Sequence, residues 1–115
     1  MITYEVFTKV EIRAGKILSA EKIPDTDKLL KLSVDFNEKD EQGNNKPRQI
    51  VSGISAYFPD LAVLVGRICM FVTNLEPRMI RGFESNGMLF ALSNDTGGFS
   101  LLEPNASIQP GTAAK

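Results

Sequence analysis

The segment LLKLSVDF, residues 29–36, constrains the fold of this chain more than any other stretch. Its apolar side chains recur at every second position, at Leu30, Leu32, Val34 and Phe36, with polar residues between them. A period of two places successive side chains on opposite faces of an extended strand, whereas a helix repeats every 3.6 residues. The segment therefore predicts a strand with one face in a core and the other face open to solvent.

Other short segments have strand or helix character. Strands are expected within residues 11–23, 48–54, 67–75 and 87–93, and a last short one in FSLLEP, 99–104. Gly15 interrupts the first of these segments, where we expect a bend or a bulge. Thr3 is a candidate N-cap for a short N-terminal helix, and Pro59 is placed to open a short helix within residues 55–66.

This order of elements predicts an all-β fold. A short N-terminal helix, a helical insert between strands three and four, and a small C-terminal β extension accompany a five-stranded OB-fold barrel. An SH3-like barrel or a sandwich of the same strands is the alternative, and the single helical insert favours the OB barrel. With 115 residues the chain predicts one domain, residues 1–115.

The composition disfavours catalysis. The chain has no histidine, which removes the usual general base and the usual zinc ligand. Its one cysteine, Cys69, cannot form an internal disulfide and lies in an apolar run, where we expect it to be buried. Asp25 and Asp27 share a turn and are expected to be solvated rather than to hold a metal. We predict no enzyme activity of its own, no cofactor and no metal site.

Charge and hydropathy restrict the partners. A net charge of -1 disfavours an indiscriminate phosphate binder, although an acidic cluster in residues 35–41 leaves the rest of the chain slightly positive. No apolar run approaches the roughly 20 residues of a membrane helix, and the N-terminus lacks the features of a signal peptide. We expect a cytoplasmic location and no membrane partner.

The segment NLEPRMIRGFESNGM, residues 74–88, joins two strongly apolar runs. Pro77 forces extended backbone before it and Gly82 permits a turn. Such a connection is expected at the surface, where it would present Arg78, Arg81, Glu84, Ser85 and Asn86 to solvent.

In an OB barrel the loop between strands four and five flanks the face that binds oligonucleotides. Two arginines there are suited to phosphate, and Met79, Ile80, Phe83 or Met88 could support a stacked base. In the alternative interpretation, Ile80 and Met88 close the end of the barrel and the arginines are simply solvated.

Several separated motifs resemble the tRNA-binding domain family. They are VEIRAGKI (10–17), PDTDKLLKLSVDF (24–36), RQIVSGI (48–54) followed by Tyr57, VTNLEPRMIRGFESNGMLFAL (72–92), LLEP and PGT. Members of this family include the C-terminal extension of many methionyl-tRNA synthetases, stand-alone tRNA-binding proteins and CsaA-type chaperones. The resemblance runs over nearly the whole chain.

The resemblance implies an OB barrel that forms a homodimer and binds the elbow, or outer corner, of tRNA by shape. It implies contact residues in the signature loop and in the turn before LLKLSVDF, with Asn74 and Gly87 shaping the loop. The residues that it implies for tRNA binding are Lys28, Asn74, Arg78, Arg81, Ser85, Gly87 and Met88.

The function predicted from this resemblance is a structure-specific tRNA-binding module. We expect the C-terminal domain of a methionyl-tRNA synthetase, or a stand-alone equivalent that helps a synthetase catalytic domain to capture tRNA. The alternative is a CsaA-like dimeric chaperone that binds peptides on a methionine-rich apolar surface near Met79, Ile80 and Met88.

Overall fold

The computed structural model describes all residues, 1–115. Its elements are α1 (Tyr4–Phe7), β1 (Ile12–Lys22), β2 (Leu30–Asp35), β3 (Arg48–Ser52), 3-10 helices at Ser55–Tyr57 and Leu61–Leu64, β4 (Ile68–Val72), β5 (Arg78–Ile80), β6 (Phe83–Ser85), β7 (Met88–Leu89), β8 (Ala91–Ser93) and β9 (Phe99–Leu101). Its helices have three or four residues each and are too short to span a membrane.

Five strands form one antiparallel sheet in the order β3-β2-β1-β4-β7, which curves into a nearly closed barrel. The eleven-residue strand β1 makes this possible because its two halves have different partners. Residues 12–16 pair with β4, and residues 16–22 pair with β2. The predicted all-β, OB-like fold is confirmed.

The alternating apolar side chains of LLKLSVDF form the inner wall of this barrel. Leu30, Leu32 and Val34 are fully buried, and Phe36 contacts Phe71 of β4 edge to face with ring centroids 5.2 Å apart. Cys69 is also buried, as predicted, and this burial raises the pKa of its thiol to about 12. The thiol is therefore protonated and unreactive at neutral pH.

Gly15 has a different role from the predicted one. The bulge of β1 lies between Ile17 and Ser19, so Leu18 is the extra residue, and Gly15 itself pairs regularly with β4. A Cβ atom on Gly15 would lie 2.5 Å from the Phe36 ring and 2.6 Å from Val34 Cγ1. Glycine is required here because the core of the barrel packs directly onto this backbone.

The helical insert between the third and fourth strands is present, as two short 3-10 helices rather than an α-helix. Asp60 caps the second of them by accepting a hydrogen bond from Ala62 N, directly after Pro59. The ring of Tyr57 stacks on Phe99 of β9 at 3.9 Å, which ties the insert to the C-terminal extension.

The predicted strand at residues 87–93 is divided. Its first part, β7, pairs with β4, and its second part, β8, pairs with β9 in a separate two-stranded sheet. Phe90 lies at the change of partner, where its N–H donates to Met70 O and its carbonyl accepts from Leu102 N. Apolar periodicity could not reveal the division, because both parts are extended.

The C-terminal tail, expected to consist of turns, adds a short pairing to β1. Ala14 N donates to Thr112 O at 2.9 Å and Gly111 N donates to Ala14 O at 2.7 Å. Gly111 has φ +90°, and a Cβ atom there would lie 2.4 Å from Phe36 O. The tail therefore covers the edge of β1 that β2 leaves free.

One ion pair lies at an end of the barrel, beside the connection between β2 and β3. Arg48 of β3 binds both carboxylate oxygens of Glu38 at 2.8 Å, and its guanidinium also donates to Thr73 O and lies over the Phe36 ring. The hydrogen bond from Arg48 lowers the pKa of Glu38, and the reciprocal bond raises the pKa of Arg48. One planar cation thus links β3 to the residues that follow β2 and β4.

Candidate nucleic-acid interface

Residues 78–85 form a β-hairpin, β5–β6, which we call the hairpin. Its register pairs Arg78 with Ser85 and Ile80 with Phe83, so the turn consists of Arg81 and Gly82 alone. Both turn residues have positive φ, 51° and 85°. Two-residue hairpin turns need such backbone angles, which glycine adopts freely and arginine does not. Arg81 is therefore held in a conformation that costs stability.

The base of the hairpin is fastened to the outer edge of β3 by two side-chain hydrogen bonds and one backbone hydrogen bond. Val51 N donates to Ser85 Oγ at 2.9 Å, and Gln49 Nε2 donates to Glu84 O at 3.0 Å. Asn86 N completes the set by donating to Gln49 O at 2.8 Å. These bonds take the place of a strand ladder and satisfy the backbone edge of β3.

Ser85 therefore does not lie at the surface, where the sequence predicts it. The residue is 5% exposed, and its hydroxyl accepts from Val51 N and donates to Gly87 O. The expectation that the segment presents Ser85 to solvent is wrong, because a barrel edge needs this oxygen as an acceptor. The hydroxyl is not free to contact a ligand.

The tip of the hairpin lies beside the turn that precedes β2. Arg81 and Lys28 line one groove of about 380 Å³, which we call the turn groove. The other residues that line it are Asp25, Thr26, Asp27 and Leu29. Both cations are exposed. The fold thus brings together two site residues that the sequence separates widely.

The turn groove also contains carboxylates, so its charge is mixed. Asp25 has φ 63°, and Thr26 Oγ1 donates to Ile23 O at 2.8 Å, which fixes the turn. The chain contains no group of three or more side chains suited to holding a metal ion. The two aspartates beside two cations limit how strongly the groove attracts anions in general.

Other predicted site residues are divided between the surface and the framework. Arg78 is exposed on β5, and Met88 is 45% exposed on β7 opposite Val72. On the outer side of the hairpin, Met79 is 68% exposed and is paired with Glu84. The cation and the two methionines are therefore open to a ligand.

Asn74 and Gly87 have structural roles. Asn74 Nδ2 donates to Lys9 O at 2.7 Å, and its Oδ1 accepts from Glu11 N at 2.8 Å, so the amide braces the segment before β1. Gly87 has φ +135°, and a Cβ atom there would lie 3.0 Å from Ile50 Cδ1. Both residues shape the approach to the hairpin.

Sequence reasoning missed Lys31 and Phe83 as a pair. The Lys31 ammonium lies over the Phe83 ring, 4.9 Å from its centroid, and 3.4 Å from Glu21 Oε2 of β1. Lys31 projects from the outer face of β2, as the alternation of LLKLSVDF predicts. The spacing shows the face of the strand but cannot show that the hairpin folds back to meet it.

Comparisons with known proteins show what this chain is similar to. Residues 12–113 match the family model described as "Putative tRNA binding domain". The chain is 44% identical over 99% of its length to the Methionine--tRNA ligase of Azoarcus sp. (strain BH72), covering 16% of that protein. It is 48% identical over 97% of its length to that of Methanoregula boonei, covering 15%. The chain thus spans about one sixth of these ligases, and the matched domain is a non-catalytic module.

Solved structures of similar proteins cover the entire chain. The MetRS related protein from Pyrococcus horikoshii superimposes with a TM-score of 0.84 and 34% identity, over 98% of that chain. The chaperone CsaA from Bacillus anthracis superimposes with a TM-score of 0.80 and 26% identity, over 99% of that chain. On the family model and these relatives, this chain belongs to the tRNA-binding domain family.

Proposed function

We propose that this chain binds tRNA through the hairpin and the turn groove. The observation that carries the proposal is the position of Arg81 beside Lys28, on the flank of the barrel where OB folds bind nucleic acid. Arg78 adds a third exposed cation, and Met79 and Met88 offer apolar contacts for a base or ribose. The family to which the chain belongs supports the same ligand.

The contact surface is suited to a folded RNA rather than to a flexible strand. Lys28 lies in the bend between β1 and β2 and Arg81 in the two-residue turn of the hairpin, so the fold places both cations along one groove. Folded RNA is recognised through the shape of its backbone, which cations arranged in this way can match. We propose the elbow, or outer corner, of tRNA as the ligand region. Asp25, Asp27 and Glu84 disfavour less specific binding of polyanions.

The chain would act with a synthetase. It matches about one sixth of the methionine--tRNA ligases, so we propose that it supplies a second tRNA contact to a methionyl-tRNA synthetase catalytic domain, in the same chain or as a separate protein. Two linked contacts raise overall affinity without any change at the catalytic site. The cytoplasm is the corresponding location.

A homodimer is part of the proposal. None of the residues of α1 is buried, and Tyr4, Phe7 and Val10 expose apolar surface beside the C-terminus. A helix this short needs packing for stability, which a second copy of the chain would provide. The expected solution mass is about twice 12.6 kDa, and Phe7→Asp should halve it. A monomer at micromolar concentration would contradict the dimer.

Titration of tRNA binding against salt tests the proposed ligand. Affinity for bulk tRNA should fall steeply with salt, by roughly 0.7–0.9 logarithmic units per phosphate contact for each tenfold increase. An equal mass of single-stranded RNA should compete poorly. Equal competition by single-stranded RNA would reduce the proposal to general RNA binding, and absence of tRNA binding at low salt would refute it.

A second candidate function is peptide binding of the CsaA type. It is favoured by an apolar groove of about 530 Å³ near the C-terminus, whose lining includes Met70, Leu92, Leu101, Leu102 and Ile108. It is also favoured by the similarity to a CsaA chaperone. Capture of an apolar peptide should change little with salt, because burial of apolar surface is not screened. This behaviour would separate the two functions.

A further inference from the structure

The hairpin is held at its base but carries its cation at its tip. The hydrogen bonds to β3 come from residues 84–86, whereas Arg81 lies at the far end of two three-residue strands. An isolated two-stranded hairpin is marginally stable in water. A further contact near the tip is therefore needed to hold Arg81 in one position relative to Lys28.

Lys31 makes such a contact. Its half-buried ammonium lies over the ring of Phe83, the first residue after the turn, at 4.9 Å. The same ammonium is 3.4 Å from Glu21 Oε2, so one cation connects β1, β2 and the hairpin. Lys31 of β2 is paired with Val51 of β3, and both lie on the outer face of the sheet. Val51 is nevertheless buried, because the hairpin lies against β3 at this point.

We infer that Lys31 is a positioning residue for tRNA binding, which holds the hairpin against the sheet so that Arg81 lies beside Lys28. The inference rests on the proposed function and deepens it. When a ligand binds one arrangement of a mobile element, its apparent affinity falls with the fraction of molecules in that arrangement. Lys31 raises the fraction of molecules in the binding arrangement, and Arg81 contacts the tRNA itself.

The surroundings of Lys31 argue against a phosphate contact by this residue. Its charge is balanced by Glu21, and its ammonium is occupied by a carboxylate on one side and an aromatic ring on the other. Its side chain is 29% exposed, whereas Lys28 and Arg81 are open to solvent. A phosphate would have to displace Glu21 or Phe83 to reach it.

The test compares tRNA affinity across salt for the wild type and three variants. Lys31→Met removes the charge and keeps an unbranched stem, and Lys31→Arg keeps both the stacking and the ion pair. Lys9→Met is the matched control, because Lys9 is exposed and its side chain makes no ion pair. Amide hydrogen exchange of residues 78–85, measured without RNA, reports the attachment of the hairpin directly.

Lys31→Met should weaken tRNA binding by about two- to fivefold, the size expected from losing a cation–π contact. The dependence on salt should stay parallel to that of the wild type, because no phosphate contact is lost. Exchange should quicken in residues 78–85 and stay unchanged in β2 and β4. Lys31→Arg should restore both properties, and Lys9→Met should affect neither.

A salt slope that falls by about one unit in Lys31→Met would make Lys31 a contact residue and overturn the inference. Unchanged hairpin exchange would also overturn it. If the wild type fails to bind tRNA, the proposed function fails. The exchange measurement would then still decide whether Lys31 holds the hairpin.

Discussion

The barrel wall and the hairpin are both built from short strands, yet they are stabilised in different ways. In β2 every second side chain is fully buried, and the strand has a partner strand on each side. The hairpin pairs only with itself and is attached by side-chain hydrogen bonds, by the backbone bond of the adjacent Asn86, and by one cation over a ring. The wall therefore resists unfolding, whereas the hairpin exposes its charges at some cost in stability. Substitutions should separate the two regions by whether they affect stability or binding.

The largest effect is expected in the wall. Leu32→Ala should lower the free energy of unfolding by about 2–5 kcal/mol, because it leaves a cavity in a closely packed core. On the hairpin, Met79→Ala should change it by less than about 0.5 kcal/mol, since that side chain is 68% exposed. Chemical denaturation of both variants measures the contrast. Similar losses in the two would mean that the hairpin is part of the core.

Ser85 tests where the two regions meet. Ser85→Ala should destabilise the fold by about 1–3 kcal/mol, because Val51 N loses its acceptor at a buried edge. The control is Ser33→Ala on β2, since the Ser33 side chain makes no hydrogen bond within the chain and little change is expected. Thermal unfolding of the two variants gives the comparison. A neutral Ser85→Ala would show that the edge of β3 does not depend on the hairpin.

Arg81 should reveal opposite effects on stability and binding. Arg81→Asn should weaken tRNA binding by about 1–2 kcal/mol, the scale of a charge-assisted hydrogen bond. It should also stabilise the fold by a few tenths of a kcal/mol, because asparagine tolerates the positive φ of this turn better than arginine. Arg78→Asn removes the same charge from a regular strand and should not stabilise. Measurements of tRNA affinity and of melting temperature on Arg81→Asn and Arg78→Asn check the effects on binding and on stability.

The smallest expected effect concerns pH and the ion pair at the end of the barrel. The pKa of Glu38 is lowered in the folded state, so the pair stabilises the fold above the ordinary value of 4.5 and this contribution is lost as pH falls through the lowered pKa. Glu38→Gln should cost about 1 kcal/mol at neutral pH and nothing below the lowered pKa. Denaturation of both proteins at several pH values measures the difference. If the difference in unfolding free energy between the wild type and Glu38→Gln persists at acid pH, the effect comes from packing and not from the ion pair.

The limits of sequence reasoning follow the same division. The alternation of LLKLSVDF predicts which residues form the wall, and each of them is buried. In the segment 74–88, residue types indicated a polar surface connection, and the structure shows a hairpin with a buried Ser85. A serine that caps a strand edge and a serine that faces solvent have the same local sequence pattern. The division of residues 87–93 between two sheets was hidden for a similar reason.

The sequence by itself determined the strand pattern, the requirement for a core and the family, because these depend on residue periodicity and on ordered motifs. The tertiary structure decided which polar groups are available to a ligand. Arg81 shares a groove with Lys28, Lys31 contacts Phe83, and Ser85 binds Val51 N only when the hairpin folds onto the sheet. These contacts join residues far apart in the chain, whose meeting depends on the complete arrangement of strands rather than on any local preference.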